Sequence, residues 1–270
     1  MTTGVLIFAI NNEHIDYVSM AAWSAKNIRR HLDLPVCLIT NRPPDIDYKF
    51  EQVIIVPTEP SGQSLRRFHD IDPNSIVTWY NRGRVDAYSL SPWSKTLVLD
   101  ADYVVASNQL KILLDIDQDF VAHKTAYDVT GVANFNELNS FGRSRMPMWW
   151  ATVMMFRRGP QAELIFDSMI MIRDNWSHYR HLFGIANSTY RNDYALSIAL
   201  GIVNGHTLDY TEIPWQLATV THDHSLTQTS QDEYRVDFST YNKKPHWITL
   251  NHDFHAMGKR HLGDIVANPC

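Results

Sequence analysis

Cysteine is nearly absent from this chain of 270 residues: there are two, Cys37 and Cys270, far apart in sequence. No disulfide framework and no cysteine-based zinc ribbon can be built from that pair. Cys37 lies in an apolar run and reads as a small core residue. Long hydrophobic runs are also missing, and no stretch approaches the ~20 apolar residues of a membrane-spanning helix. The N-terminal run Val5 to Ile10 is short and has no basic residues before it, unlike a signal peptide. These features lead to the expectation of a reducing, cytoplasmic setting. An excess of positive charge is lacking too, since the formal net charge is -5. Coating nucleic acid by net charge alone is therefore excluded, although local basic groups occur at Arg82-Gly-Arg84, Arg143-Ser-Arg145, Arg157-Arg158 and Lys259-Arg-His261. No repeat and no low-complexity segment is present.

What is present is an ordinary globular composition, with 44% hydrophobic and 20% charged residues. That is enough apolar material for one large core. Gly4 to Ile10 is a continuous apolar run of strand length, ended by Asn11-Asn12. From Asp16 to Arg30 the apolar residues Val18, Ala21, Ala22, Ala25 and Ile28 recur at helical spacing. Val36–Thr40 and Val53–Val56 read as further strands. Strand, helix, strand and strand in this order predict an α/β fold: a doubly wound, mostly parallel sheet flanked by helices. Ligands bind such sheets beyond the carboxyl ends of the strands. Ile10, Asn11, Asn12 and Thr40 thus become candidate nucleotide contacts, with plain turn formation an equal reading for the polar ones.

Further along, Pro57 to Asn81 reads as loop, with Pro60, Ser61, Gly62 and Pro73 in it. Arg82 to Ser91 reads as a short helix, Asn108 to Leu114 as helical, and Phe120–Lys124 as a short strand. Thr125 to Pro147, with Asn134, Asn136, Asn139 and Gly142, reads as a long polar loop, a lid or acceptor wall. Met148–Phe156 is strand-like. Ala162 to Arg173 and Tyr194 to Ile202 are helical, with Asn192 a candidate N-cap. Thr207 to Tyr210 and His246 to Leu250 read as the last strands.

The chemistry concentrates in Lys95-Thr-Leu-Val-Leu-Asp-Ala-Asp-Tyr-Val-Val-Ala106, where apolar runs flank Asp100 and Asp102. Two nearby carboxylates repel, and burying them is costly without a positive partner. A divalent cation with oxygen ligands is the simplest partner at a strand's carboxyl end. The C-terminal histidines His222, His224, His246, His252, His255 and His261 leave a zinc site open as an alternative.

The segment Arg84-Val-Asp-Ala-Tyr-Ser-Leu-Ser-Pro-Trp-Ser-Lys-Thr-Leu-Val-Leu-Asp-Ala-Asp102 resembles the matching segment of glycogenin-like family 8 glycosyltransferases, up to their Asp-x-Asp motif. His255-Ala-Met-Gly258-Lys259 is similar to a shortened form of that family's C-terminal His-x-x-Gly-x-x-Lys motif. The resemblance implies a single GT-A, Rossmann-like domain over residues 1–270, with a small antiparallel strand near the active site. Residues 1–106 would be the nucleotide-binding half and 107–270 the acceptor side. It implies a glycosyltransferase that uses Mn2+ (or Mg2+) and a nucleotide-sugar, a UDP-sugar, with retention of configuration. Asp100, Asp102 and His255 would be the metal ligands, with His252 as a substitute for His255. Arg84, Ala101, Gly258 and Lys259 would touch the donor. Asp193, with Asn192, would be the reaction-centre group, although an acid favoured by a helix dipole reads equally well there.

Departures from the family are visible. Its Asn-Ser-Gly is replaced by Trp150-Ala-Thr152, and the C-terminal motif lacks Lys-Pro-Trp. The acceptor stays open between a glycan, a protein side chain and a modified DNA base. A non-catalytic nucleotide-sugar-binding module is the alternative function, and a zinc-dependent hydrolase a further one.

Overall fold

The computed structural model describes residues 2–57, 65–67, 76–78, 80–135, 139–186, 189–205 and 212–270. The expected strand at Thr207–Tyr210, the loop residues Pro60, Ser61, Gly62 and Pro73, and Asn136 lie outside them.

The chain opens with β1 (Thr3–Phe8), α1 (Tyr17–Leu32), β2 (Val36–Thr40) and β3 (Gln52–Ile55). The Asp16 carboxylate caps α1 by accepting from the Ser19 N–H at 3.1 Å. The short strands β4 (Leu65–Arg67) and β5 (Ile76–Thr78) pair with each other. A 3-10 turn over Gly83–Asp86 then leads through α2 (Ala87–Leu90) into β6 (Lys95–Asp100) and β7 (Tyr103–Val104). Another 3-10 turn over Gln109–Leu114 precedes β8 (Phe120–His123) and β9 (Ala126–Asp128). β10 (Ser140–Phe141) and β11 (Met146–Pro147) form a tight hairpin ahead of β12 (Trp150–Arg157). The segment expected as one long loop therefore holds three very short strands.

Three helices follow: α3 (Pro160–Asp174), α4 (Trp176–Leu182) and α5 (Asn192–Val203). Arg191, not Asn192, occupies the N-cap position of α5; Asn192 is already helical. The chain closes with β13 (Leu217–Val220), β14 (Ser225–Ser230), β15 (Glu233–Ser239), β16 (Pro245–Leu250), β17 (Phe254–Ala256) and α6 (Lys259–Ala267).

The central sheet has the order β3-β2-β1-β6-β12-β8. β1 pairs parallel with both β2 and β6, and β2 with β3, whereas β12 runs antiparallel to its neighbours. Strands buried on both faces read as unbroken apolar runs, and Val5 to Phe8, Val36 to Thr40 and Lys95 to Leu99 are all buried. Gly4 is needed because the Trp93 ring lies against its backbone: an added Cβ would sit 2.3 Å from that ring. The fold is thus α/β with a mostly parallel central sheet. A second sheet, β7-β17-β13-β9, includes the antiparallel pair β7/β17.

The sheet order fixes where ligands fit. From β1 the chain continues to β2 on one side, whereas β6 enters on the other. Crossovers are right-handed, so the connections leave on opposite faces and a crevice opens beyond the ends of β1 and β6. Phe8 pairs with Asp100, which brings Ile10, Asn11 and the Asp100-Ala-Asp102 corner to that crevice.

Candidate active site

Asp100 is the last residue of β6, and Asp102 directly precedes β7. β17 pairs with β7 so that His255 faces Tyr103, and the Ala256 N–H donates to the Asp102 carbonyl at 3.0 Å. A strand some 150 residues downstream in the chain thereby delivers an imidazole to the acid corner. Asp100, Asp102 and His255 each offer a ligand atom, and these atoms all lie within 4.8 Å of one another. Two carboxylates and one imidazole, with no thiol among them, fit a hard divalent ion such as Mn2+ or Mg2+.

Cations surround the corner. Arg84 pairs with Asp100 and Lys259 with Asp102, and His255 Nε2 lies 3.5 Å from the Asp102 carboxylate. Burial pushes the Asp102 carboxyl up, but Lys259 and His255 outweigh it and hold the group well below the usual carboxylate range. Lys259 opens α6 and Gly258 is its N-cap. A Cβ at Gly258 would meet only ordinary neighbours, His222 at 3.6 Å and His261 at 3.7 Å. Crowding within this chain therefore does not demand glycine there.

On the far side of the corner lies Ala151 in β12. The pairing of β12 with β8 shifts register between Trp150 and Met154, so the strand bulges here. The Ala151 N–H donates to Asp193 Oδ1 at 3.0 Å and its carbonyl accepts from Arg84 Nη1 at 2.9 Å. Arg191 Nη2 donates to the other Asp193 oxygen at 2.7 Å. Burial raises the Asp193 carboxyl, yet Arg191, the Ala151 N–H and Arg84 together hold it below its ordinary value. Arg84 thus touches both Asp100 and the strand that Asp193 clamps, linking the metal corner to the start of α5. Asn192 Nδ2 donates to the Asn81 carbonyl at 3.0 Å, while the buried Asn192 Oδ1 has no partner among the described residues.

Several expected contacts serve the chain itself. Asn11 accepts from the Val18 N–H and donates to Asp16, and Asn12 accepts from the His14 and Ile15 N–H groups, each at 2.7–2.9 Å. Their side-chain oxygens, with the Asn11 amide, hold the turn. Ile10 and Ala101 are buried at the crevice edge. Thr40 Oγ1 is buried without a partner among the described residues. Arg157 pairs with Asp117 and Asp119, and Arg158 donates to the Trp93 and Ser91 carbonyls. Both are structural.

The C-terminal histidines do not gather into a zinc centre. Among the described residues the one group of three or more metal-type ligands is the Asp100, Asp102 and His255 set. His224 Nε2 instead lies 3.0 Å from Thr130 Oγ1 and 3.5 Å from Asp128, and His222 pairs with exposed Asp223.

Sequence reasoning missed two groups. Arg191 gives no signal, because its role is set by Asp193 on the same turn. His123 and Trp150 pair across β8 and β12. Both are buried, and His123 Nε2 and Trp150 Nε1 lack partners among the described residues. His123 Nδ1 lies 3.0 Å from the Trp215 carbonyl, which sets Nδ1 as its protonated nitrogen and leaves Nε2 an acceptor.

No protein-family model matches the chain, and no curated protein matches it. Solved structures of similar shape include the glycosyltransferase GlyE of Streptococcus pneumoniae TIGR4, at 13% identity and TM-score 0.44, covering 79% of this chain and 46% of that one. This chain therefore spans about half the length of GlyE. The galactosyltransferase LgtC, bound to donor and acceptor sugar analogs, aligns at 12% identity and TM-score 0.48, over 73% of this chain and 70% of that one. Mouse xyloside xylosyltransferase 1 aligns at 12% identity and TM-score 0.42, over 76% and 83%. At these identities and scores the likeness says nothing of this chain's substrate.

Proposed function

We propose that this chain is a metal-dependent glycosyltransferase of GT-A architecture, moving a sugar from a nucleotide-sugar to an acceptor with retention. The observation that carries the reading is the convergence of Asp100, Asp102 and His255 within 4.8 Å at the crevice beyond β1 and β6. The donor is proposed to be a UDP-sugar.

Sugar transfer is difficult because the departing diphosphate gains negative charge while the sugar becomes cation-like. Bound Mn2+ or Mg2+, held by Asp100, Asp102 and His255, would offset charge on the diphosphate oxygens. Lys259 exchanges its Asp102 contact for the phosphates, and the backbone at Gly258 admits them close to the start of α6. Arg84 is the second cation and fixes the position of Ala151. Asp193, held ionised by Arg191, presents a carboxylate toward the reacting face of the sugar. Asn192 Oδ1 is free to accept from a sugar hydroxyl.

A second reading has one observation in its favour. Both Asp193 oxygens already accept hydrogen bonds within the chain. That suits a module that binds nucleotide-sugar without transferring it.

Thermal shift with UDP, with and without Mn2+, followed by assay of sugar release, tests both. Transfer or donor hydrolysis that needs Mn2+ is expected. Stabilisation by UDP and Mn2+ with no release to any acceptor or to water supports the module. Asp102→Asn is expected to remove the Mn2+-dependent share of stabilisation, and its survival in that variant would refute the metal assignment.

A further inference from the structure

The hairpin of β10 and β11 carries two arginines that no acid among the described residues pairs with. Its strands pair through Ser140 with Pro147 and Phe141 with Met146, which leaves 142–145 as the turn. Arg143, Ser144 and Arg145 are exposed. Among the described residues neither guanidinium has an ion pair, in a chain whose net charge is -5. Asp193, on the helix against which Phe141 packs, is already paired with Arg191 at 2.7 Å.

The turn is held firmly beside the reaction centre. The Phe141 ring packs on Tyr194 with centroids 4.9 Å apart, and Arg191 lies over the same Tyr194 ring. The Arg143 N–H donates to the Phe183 carbonyl at 3.1 Å, and Gly142, at φ +70, has that carbonyl where a Cβ would fall. Arg143 is two residues from Phe141, so its backbone lies within about 7 Å of it. Asp193, Arg191, Tyr194, Phe141 and Arg143 form one continuous wall.

Arg145 sits at φ 47, the left-handed region where glycine would be at ease. An arginine kept there, against backbone preference, points to a use for its side chain.

We propose that the 142–145 turn is an anion clamp that receives a phosphate group on the acceptor. This acceptor assignment rests on the glycosyltransferase reading above. Two guanidiniums flanking the Ser144 hydroxyl present donors to several oxygens of one tetrahedral anion. The phosphate belongs either to a soluble phosphorylated sugar or to a lipid headgroup, and the test separates these sources.

The donor site is first saturated with UDP and Mn2+. The full chain is then titrated calorimetrically with glycerol phosphate. In parallel it is sedimented with vesicles of phosphatidylglycerol in phosphatidylcholine, and with phosphatidylcholine alone. Binding to one or both phosphate sources is expected, weakening with added salt. The R143S/R145S variant is expected to bind at least about tenfold more weakly, with UDP affinity unchanged. Arg145→Gly relieves the backbone, so it is expected to keep or raise the melting temperature while binding phosphate several-fold more weakly. A merely structural arginine would not separate those two readouts. Absence of binding to both sources, or full binding by R143S/R145S, overturns the clamp. If UDP and Mn2+ themselves fail to bind the wild-type chain, the donor reading falls, while the phosphate titration still reports on the clamp.

Discussion

Asp102 is nearly enclosed, with Lys259 and His255 against it, so its charge is sustained by neighbours rather than by water. Asp193 is kept ionised in the same manner by Arg191. Exchange of Asp193 for Asn preserves an oxygen for the Ala151 N–H but removes the charge and the acceptor for Arg191 Nη2. Transfer is expected to fall by about 100-fold or more, with UDP and Mn2+ binding retained. Near-normal turnover by that variant would assign Asp193 to the bulge alone. His123 allows a sharper test by pH. Burial lowers its pKa from 6.5 to about 4 in the folded chain. Below pH 6.5 the unfolded chain takes up a proton that the native chain refuses. The stability tied to neutral His123 is therefore complete above pH 6.5 and declines toward pH 4, by about 3 kcal/mol. In His123→Asn the amide can still donate to the Trp215 carbonyl but does not titrate. Denaturant unfolding between those pH values is expected to show a shallower loss in the variant, and equal slopes would count against a buried neutral imidazole.

At the level of elements, β1 and β6 define the crevice, and both depend on a close fit at their amino ends. An alanine at position 4 would push a methyl into the Trp93 ring, at a cost of about 2 kcal/mol by overpacking. Trp93→Leu makes room, so the double variant is expected to be more stable than the sum of the single losses allows. Chemical denaturation of the four proteins measures that coupling. The elements differ in how far their residues announce them. β1, β2, β6 and β12 are unbroken apolar runs, and α1 repeats its apolar residues at helical spacing with Asp16 as cap, so all were readable in advance. β14 and β15 were missed, although Glu233-Tyr-Arg-Val-Asp-Phe-Ser239 alternates polar and apolar residues as a half-buried strand does. β9, β10 and β11 span two or three residues each, too few for any period to register. The acid corner was legible because Asp100 and Asp102 are neighbours in the chain, and His255 came into view through the family resemblance. His123 and Trp150 owe their places to the bulge of β12 and to its pairing with β8. No local pattern encodes such pairing.

At the scale of the whole molecule, strands from both sides of the boundary between residues 106 and 107 share one sheet. β8 and β12 come from the later part of the chain and complete the sheet begun by β1, β2, β3 and β6. β17 closes on β7 across the same boundary, and α6 packs on α1. A fragment of residues 1–106 would leave β6 as an edge strand with the hydrogen-bonding groups that β12 satisfies unpaired. Such a fragment is expected to show little fixed structure by circular dichroism, whereas the full chain melts in a single transition. The acid corner shares this dependence, since Asp100, Asp102 and His255 come from both sides of the boundary. A ligand that grips the corner therefore stabilises the entire fold and not one part of it. At a concentration of about 100 times its Kd, UDP with Mn2+ adds ~2.7 kcal/mol, a rise in Tm of roughly 5–10 °C for a chain of this length. That rise is expected to appear as a shift of the single transition, equally by fluorescence and by circular dichroism. Splitting of the melt into two transitions, with one alone responding to ligand, would mean that the halves fold separately and that His255 reaches the corner through docking rather than through one continuous sheet.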